Sequence, residues 1–248
     1  MTARAEKTEL NEILPLRALF LQETNFQIRY DSCYSRGWTD SYLLFIDDLK
    51  VGYGSLWGME DRDTLFEFFV VKPYRPRASE LFSKLLAASR PRRIECQSNE
   101  LLLTLMLYEF SPAVSSNVIL FEDHSVTEHV VPGAMFRARR SDDQVFADSA
   151  YMVEMGGEVV GAGGFLLHYN KPFADLYMEV REDWRRRGIG SFVLQEVKKQ
   201  CYLAGRVPAA RCNMDNAASR ATLVKAGMRT CGFMLTGEIG PVGVQRED

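Results

Sequence analysis

Two stretches of the chain repeat each other without a gap: residues 42–58 (YLLFIDDLKVGYGSLWG) and residues 151–167 (YMVEMGGEVVGAGGFLL). Tyr42 matches Tyr151, Val51 matches Val160, Gly52 matches Gly161 and Gly54 matches Gly163, all at an offset of 109. Each stretch reads as a β-hairpin, an apolar strand on either side of a two-residue turn, Asp47-Asp48 in one and Gly156-Gly157 in the other. Gly-Gly supplies the positive φ of a tight hairpin turn, and Asp tolerates it better than most residues. The register continues downstream. The strand at 64–72 (TLFEFFVVK) precedes Tyr74-Arg75-Pro76-Arg77 and an apolar helix, and the strand at 174–180 (ADLYMEV) precedes Trp184-Arg185-Arg186-Arg187 and another helix. Matching elements at near-constant offset mark a duplication.

Each copy therefore reads as hairpin, strand, helix, strand, helix, strand. In the second copy the helices are expected over 189–203 and 216–226, and the last strands within 228–244. The first copy adds an amphipathic helix over 10–23 that the second has little room for. The expected fold class is α+β: two tandem domains, each a mixed, mostly antiparallel sheet flanked by helices. The boundary is expected between 125 and 126, giving domains 1–125 and 126–248.

The 248 residues carry a net charge of -3, which argues against a broad nucleic-acid surface. No stretch approaches the ~18 consecutive apolar residues of a membrane span, and the start MTARAEKTEL has no apolar signal core. Five cysteines without a C-x-x-C spacing point to reduced thiols and a cytoplasmic location. The three histidines match no zinc-ligand pattern, so no metal is expected.

The most informative segment is 180–191, VREDWRRRGIGS. Gly188 and Gly190 are costly at the opening of a helix, and make sense where backbone must approach a ligand. A helix N-terminus offers free N–H groups and the positive end of the dipole, an anion site suited to a pyrophosphate. Arg185, Arg186 and Arg187 add positive charge. Gly161-Ala-Gly163-Gly164 lies inside a hairpin with no following helix, and so is not a dinucleotide fingerprint.

Arg185-Arg186-Arg187-Gly188-Ile189-Gly190 resembles the R/Q-x-x-G-x-G/A signature of the GNAT superfamily of N-acetyltransferases. A second family motif, N-x-x-A-x-x-L-Y-x-K-x-G-F, is matched in register by Asn216, Lys225 and Gly227, with Met228 in place of the final aromatic. The resemblance covers about 95 residues of the second copy. It implies that 185–191 (Arg185 to Ser191) wraps the pyrophosphate of coenzyme A, that the strand ending at Val180 holds the pantetheine arm, and that Asn216 contributes to the same cofactor site. It further implies an acetyl-CoA-dependent N-acetyltransferase acting on a primary amine of a small molecule or peptide, working as a monomer or homodimer with neither nucleic acid nor membrane as partner. A non-catalytic acyl-CoA-binding sensor is the alternative.

Two departures bear on this. The family's usual tyrosine slot holds Leu223, so the acid and base are sought on the strand before the loop, where alternation puts Asp175, Tyr177 and Glu179 on one face. Glu179 and Tyr177 are the catalytic candidates, with His168 a weaker one. In the first copy the loop reads Arg75-Pro76-Arg77-Ala78-Ser79-Glu80. Glu80 in the place of the second glycine is expected to put a carboxylate where the pyrophosphate would sit, leaving that copy a structural or substrate-shaping role.

Overall fold

The computed structural model describes residues 1–23, 31–168 and 171–240; the expected strand beyond residue 240 lies outside them. Two compact units form, one from 1–23, 32–117 and 232–240, the other from Asp31, 118–168 and 171–231. The first unit contains β1 (Ala3–Thr8), α1 (Leu10–Glu23), α2 (Asp31–Ser35), β2 (Thr39–Ile46), β3 (Leu49–Trp57), β4 (Thr64–Val70), α3 (Ala78–Ser89), β5 (Arg93–Gln97) and α4 (Leu101–Phe110). The second contains β7 (Ala134–Ala138), β8 (Tyr151–Met155), β9 (Glu158–Leu166), β10 (Phe173–Val180), α5 (Ile189–Leu203), β11 (Val207–Asn213) and α6 (Ala217–Lys225). The two orders correspond, and the fold is two α+β units in tandem.

The boundary is not a cut at 125/126. Strand β6 (Ser115–Asp123) pairs antiparallel with β11 of the second unit, from Val118 opposite Asn213 to Glu122 opposite Ala209. The last strand, β12 (Met228–Glu238), pairs antiparallel with β5 of the first unit through Met234–Glu238. The two copies exchange their final strands, so each unit is assembled from discontinuous chain. Strand order is β1-β2-β3-β4-β5-β12 in the first unit and β6-β11-β10-β9-β8-β7 in the second.

The residues that match between the copies have structural reasons. Val51 and Val160 are the extra residues of β-bulges at equivalent places: Leu44 opposes Gly52 and Phe45 opposes Lys50, while Val153 opposes Gly161 and Glu154 opposes Val159. Gly54 and Gly163 let a helix lie against the sheet. A Cβ on Gly54 would stand 2.2 Å from Leu85 of α3, and one on Gly163 2.7 Å from Val193 of α5. Both helices bury an apolar face, Leu81, Phe82, Leu85 and Leu86 in α3, and Ile189, Val193, Leu194 and Val197 in α5.

The opposite sheet face differs between the units. In the first, Arg17 of α1 and Tyr34 of α2 reach Glu67, a fully buried carboxylate in the apolar strand β4. Arg17 donates to it at 2.9 and 3.0 Å, and the Tyr34 and Tyr53 hydroxyls donate at 2.8 Å each. Burial alone would lower the Arg17 pKa, but Glu67 outweighs it and raises it. Burial and the same carboxylate push both tyrosines well above their ordinary range. In the second unit the residue in register with Glu67 is Tyr177, and in place of two helices the segment 139–150 follows β7. Arg137 ties that segment down, donating to Asp143 at 2.6 and 2.7 Å and to Glu154 at 2.7 Å.

Glu67→Ala leaves the Arg17 charge buried without its counter-ion and is expected to cost about 3–5 kcal/mol, read from urea unfolding of the full chain; a loss below about 1 kcal/mol would contradict the role given to the pair. A fragment of residues 126–248 lacks β6, whose Ile119 and Phe121 belong to the second unit's core. That fragment is expected to show no cooperative thermal transition, whereas a sharp, native-like one would mean that β6 is dispensable.

Candidate functional site

The site forms where β10 leaves its neighbour. Strands β10 and β11 run parallel and pair only at Phe173–Val207, Ala174–Pro208 and Asp175–Ala209. Beyond that β11 turns to β6, and β10 from Leu176 to Val180 is paired with β9 alone. A cleft of about 780 Å³ opens there, with Met178, Glu179 and Val180 on one side and Asn216, Thr222 and Lys225 of the α6 segment on the other. The loop 184–191 closes its end.

The loop is shaped by hydrogen bonds and by left-handed backbone. A 3₁₀ turn at Glu182–Trp184 follows β10, and the chain then passes through Arg186 (φ 62°) and Gly188 (φ 81°) into α5. Alternating left-handed residues turn successive N–H groups inward, a concavity suited to an anion. Gly188 is the residue before α5 and carries no side chain to cap it, so the first-turn N–H groups of Ile189, Gly190 and Ser191 remain for a ligand. The first turn contains no acidic residue. A Cβ on Gly190 would lie 3.1 Å from Thr222 and 3.4 Å from Met178, a close fit that asks the Thr222 side chain to give by a few tenths of an ångström, and a longer side chain would enter the cleft.

The three arginines have different fates. Arg185 donates to the Val180 carbonyl at 3.3 Å and lines the cleft with Arg186. Arg187 turns away, donating to the Asp183 carbonyl at 3.0 Å with its guanidinium 4.6 Å from the Trp184 ring centre. The nearby carboxylates are taken by Arg181, which pairs with Asp183 at 2.8 Å and Glu158 at 2.9 Å. Among the described residues no carboxylate pairs with Arg185 or Arg186. Ser191 is buried and its hydroxyl donates to the Thr222 carbonyl at 3.4 Å. Asn216 caps α6, its side chain accepting from the Ser219 N–H at 2.9 Å, and lines the cleft as well.

The catalytic candidates separate. Glu179 is exposed and lines the cleft. Tyr177 does not line it; its hydroxyl donates to the Asp148 carbonyl at 3.4 Å, in the segment fastened by Arg137. Asp175 is buried and paired with Arg211 at 3.3 Å, and His168 is exposed beyond β9. Leu223 is 4% exposed, belongs to the core cluster of the unit and brings no proton donor. Lys225, Thr222 and Trp184 line the cleft without having been expected there. The first two lie on the face of α6 that helical spacing from Ala218 would have marked.

The first unit keeps the same cleft with altered chemistry. Strands β4 and β5 pair only at Thr64–Arg93 and Leu65–Ile94. The resulting cleft, about 1180 Å³, is lined by leucines, phenylalanines and three carboxylates, Glu23, Glu100 and Glu109, with Lys72 and Arg75 among them. Counted from the residue that precedes each helix, Glu100 and Asn216, the lining residues Leu102, Leu105, Met106 and Glu109 of α4 stand where α6 has Ala218, Ala221, Thr222 and Lys225. Arg75 donates to the Val70 carbonyl at 2.9 Å, as Arg185 does to Val180, but is also ion-paired with Glu23. Glu80 is not the obstructing group that the sequence suggests. It pairs with Arg77 at 2.8 Å and does not line the cleft. The carboxylate that lines the cleft beside the first turn of α3 is that of Glu109, which accepts from the Ser79 hydroxyl at 2.7 Å.

Residues 118–228 match the model of the Acetyltransferase (GNAT) family. This domain belongs to the GNAT family. Among solved structures, an acetyltransferase of the GNAT family from Colwellia psychrerythraea superposes with a TM-score of 0.75 at 13% identity, covering 96% of this chain and 100% of that one. A tandem GNAT protein from the clavulanic acid biosynthesis pathway gives 0.61 at 11% identity, covering 97% and 99%. A GCN5-related N-acetyltransferase from Sphaerobacter thermophilus gives 0.51 at 14%, covering 91% and 86%. At these identities the likeness shows the fold, two GNAT-like units in tandem. No curated protein sequence matches the chain. Among the described residues no group of three or more His, Cys, Asp or Glu is placed to hold a metal ion, and no helix is long and apolar enough to cross a membrane.

Leu223→Ala is expected to behave as a core truncation costing about 2–5 kcal/mol, with no change in the shape of the pH–rate profile. Loss of a high-pH limb at unchanged stability would show that the position takes part in proton transfer.

Proposed function

We propose that the second unit transfers the acetyl group of acetyl-CoA to a primary amine of a small molecule or peptide. The observation that carries this reading is the open N-terminus of α5, flanked by Arg185 and Arg186, at the end of a cleft whose one lining carboxylate is Glu179. The loop from Arg185 to Ser191 holds the pyrophosphate, and the unpaired side of β10 up to Val180 holds the pantetheine arm. The thioester arrives with the substrate, and no metal is needed. Glu179 accepts the proton of the incoming amine. As the C–N bond forms the C–S bond breaks, and the released thiolate is protonated by water, since the Tyr177 hydroxyl donates to the Asp148 carbonyl and does not line the cleft. The acceptor is a soluble amine met in the cytoplasm, and neither nucleic acid nor membrane takes part.

Leu223 in the usual tyrosine slot favours one other reading, an acyl-CoA sensor that binds without turnover. Titration calorimetry on the full chain is expected to give one acetyl-CoA per chain, because Glu23 and Glu109 close the first unit to an anion. Gly190→Glu is expected to abolish binding with an unchanged circular dichroism spectrum, since it adds a carboxylate beside Thr222 at the loop. Consumption of acetyl-CoA with at least one member of a broad amine panel, lost in Glu179→Gln with binding retained, separates enzyme from sensor. A stoichiometry of two, or undiminished binding by Gly190→Glu, would overturn the assignment of the site.

A further inference from the structure

Helix α4 of the first unit, LLLTLMLYEF, is apolar on nearly every side. A helix of that kind is ordinarily buried all round. Leu103, Met106 and Leu107 do enter the core of the unit. The opposite face does not. Leu101, Leu105 and Tyr108, at the spacing of one helical face, are 71%, 53% and 61% exposed. All three line the cleft of about 1180 Å³, and so does Leu19 of α1, itself 48% exposed. Apolar side chains scattered singly over a surface need no explanation, but a stripe of them gathered in one concavity marks a place where something binds.

The charge of the cleft says what kind of molecule suits it. Three carboxylates, Glu23, Glu100 and Glu109, stand against two cations, Lys72 and Arg75. Glu23 and Arg75 pair with each other. Glu109 accepts from the neutral Ser79 hydroxyl at 2.7 Å, which leaves its charge in place, and among the described residues no cation pairs with it. In the second unit the corresponding positions of α6 hold Ala218, Ala221, Thr222 and Lys225, where α4 has Leu102, Leu105, Met106 and Glu109. The wall has become bulkier and more apolar, and the charge at its end has changed sign. A cleft altered only by loss of use would not be expected to gain both together.

We infer that the cleft of the first unit is a binding site for an alkyl ammonium, an organic cation with an apolar chain. The ammonium group meets Glu109, with the ring of Tyr108 one residue away as a second attraction for a cation. The chain lies back along Leu105 and Leu101 and is covered from α1 by Leu19. A helix rises about 1.5 Å per residue, so the path from Glu109 to Leu101 is about 12 Å long, which suits a chain of medium length. This site is independent of the chemistry assigned to the second unit.

Octyltrimethylammonium is the probe. It carries the charge and the chain but no N–H, and so cannot act as an acetyl acceptor. Calorimetry on the full chain is expected to show saturable binding that tightens about twofold to fourfold per methylene from the hexyl to the octyl compound, with octanoate bound far more weakly. Glu109→Gln keeps an acceptor for Ser79 and removes the charge. It is expected to weaken the ammonium about threefold to tenfold, as for one partly exposed charge contact. Leu105→Lys, at an exposed position, is expected to abolish binding, and Glu179→Gln in the other cleft to leave it unchanged. Thermal midpoints of the variants report whether the fold is intact. No saturable binding by the parent protein, octanoate bound as tightly as the ammonium, or undiminished affinity in Glu109→Gln each overturns the inference. So does loss of binding in Glu179→Gln, which would put the probe in the second unit. A concentration-dependent dimer in light scattering, lost in Leu105→Lys and seen with no ammonium bound, would overturn it as well and give the stripe to a second copy of the chain.

Discussion

The short parallel pairing of β10 with β11 is the feature on which the site depends. Three residue pairs hold the strands together, and then β11 is taken up by β6 while β10 continues against β9 alone. Backbone groups left unpaired in a buried sheet would carry a large penalty. They are tolerable here because the separation opens a cleft. The same separation directs the end of β10 at the N-terminus of α5, so that a strand edge, a left-handed turn and a helix dipole converge. The close approach at Gly163 lets α5 lie directly on the sheet and fixes where that N-terminus points.

The first unit shows that the separation is a property of the fold, while the two clefts differ in a few side chains. Its strands part after two pairs and its cleft persists. What changes is charge and bulk. Glu23 neutralises Arg75, Glu109 occupies the start of α3, and leucines stand where α6 has alanine. On the other sheet face two helices and the Glu67 cluster fill space where the second unit has, among the described residues, the segment fastened by Arg137. Burying a carboxylate is costly unless every lone pair finds a donor, and Glu67 is met by Arg17, Tyr34 and Tyr53. That degree of satisfaction indicates a finished core rather than a vestigial pocket.

Much of this was legible in the sequence, and the failures have physical causes. The duplicated hairpins could be read because their turns, bulge valines and packing glycines are local requirements. The turn into α5 could be read because two glycines weaken a helix start unless the backbone there must approach a ligand or a neighbouring element closely. The edge strands β1 and β7 were not expected: ARAEKT and AMFRA offer no clean apolar alternation, since an edge strand buries little. The exchange of β6 and β12 was invisible because either strand suits either sheet by pattern, and only tertiary pairing decides. Glu80 was misplaced because alignment gives a position along the chain and not a direction; on the first turn of α3 its side chain finds Arg77 instead of the cleft. Glu67, by contrast, had a signal that could have been used, a lone carboxylate between Phe66 and Phe68 in a strand otherwise suited to burial.

The distribution of proton-transfer groups constrains what chemistry the second unit can support. Of the groups lining its cleft, Glu179 is the carboxylate, while Asn216, Ser191 and Thr222 neither gain nor lose protons near neutral pH. Asp175 is drawn off by Arg211, and Leu223 contributes nothing polar. On the proposed reading, then, one carboxylate removes the proton from the amine, and among the described residues neither a tyrosine nor a histidine lines the cleft to serve as the acid. That asymmetry is tolerable for a thioester. A thiol titrates near pH 8.5, so its thiolate is a far better leaving group than an alkoxide or amide anion, and protonation can follow bond cleavage instead of accompanying it. The same site would be poorly equipped to expel an oxygen or nitrogen leaving group, which needs a proton delivered in the transition state. On that reading the cleft supplies the base for the incoming amine and leaves the thiolate to take its proton from water.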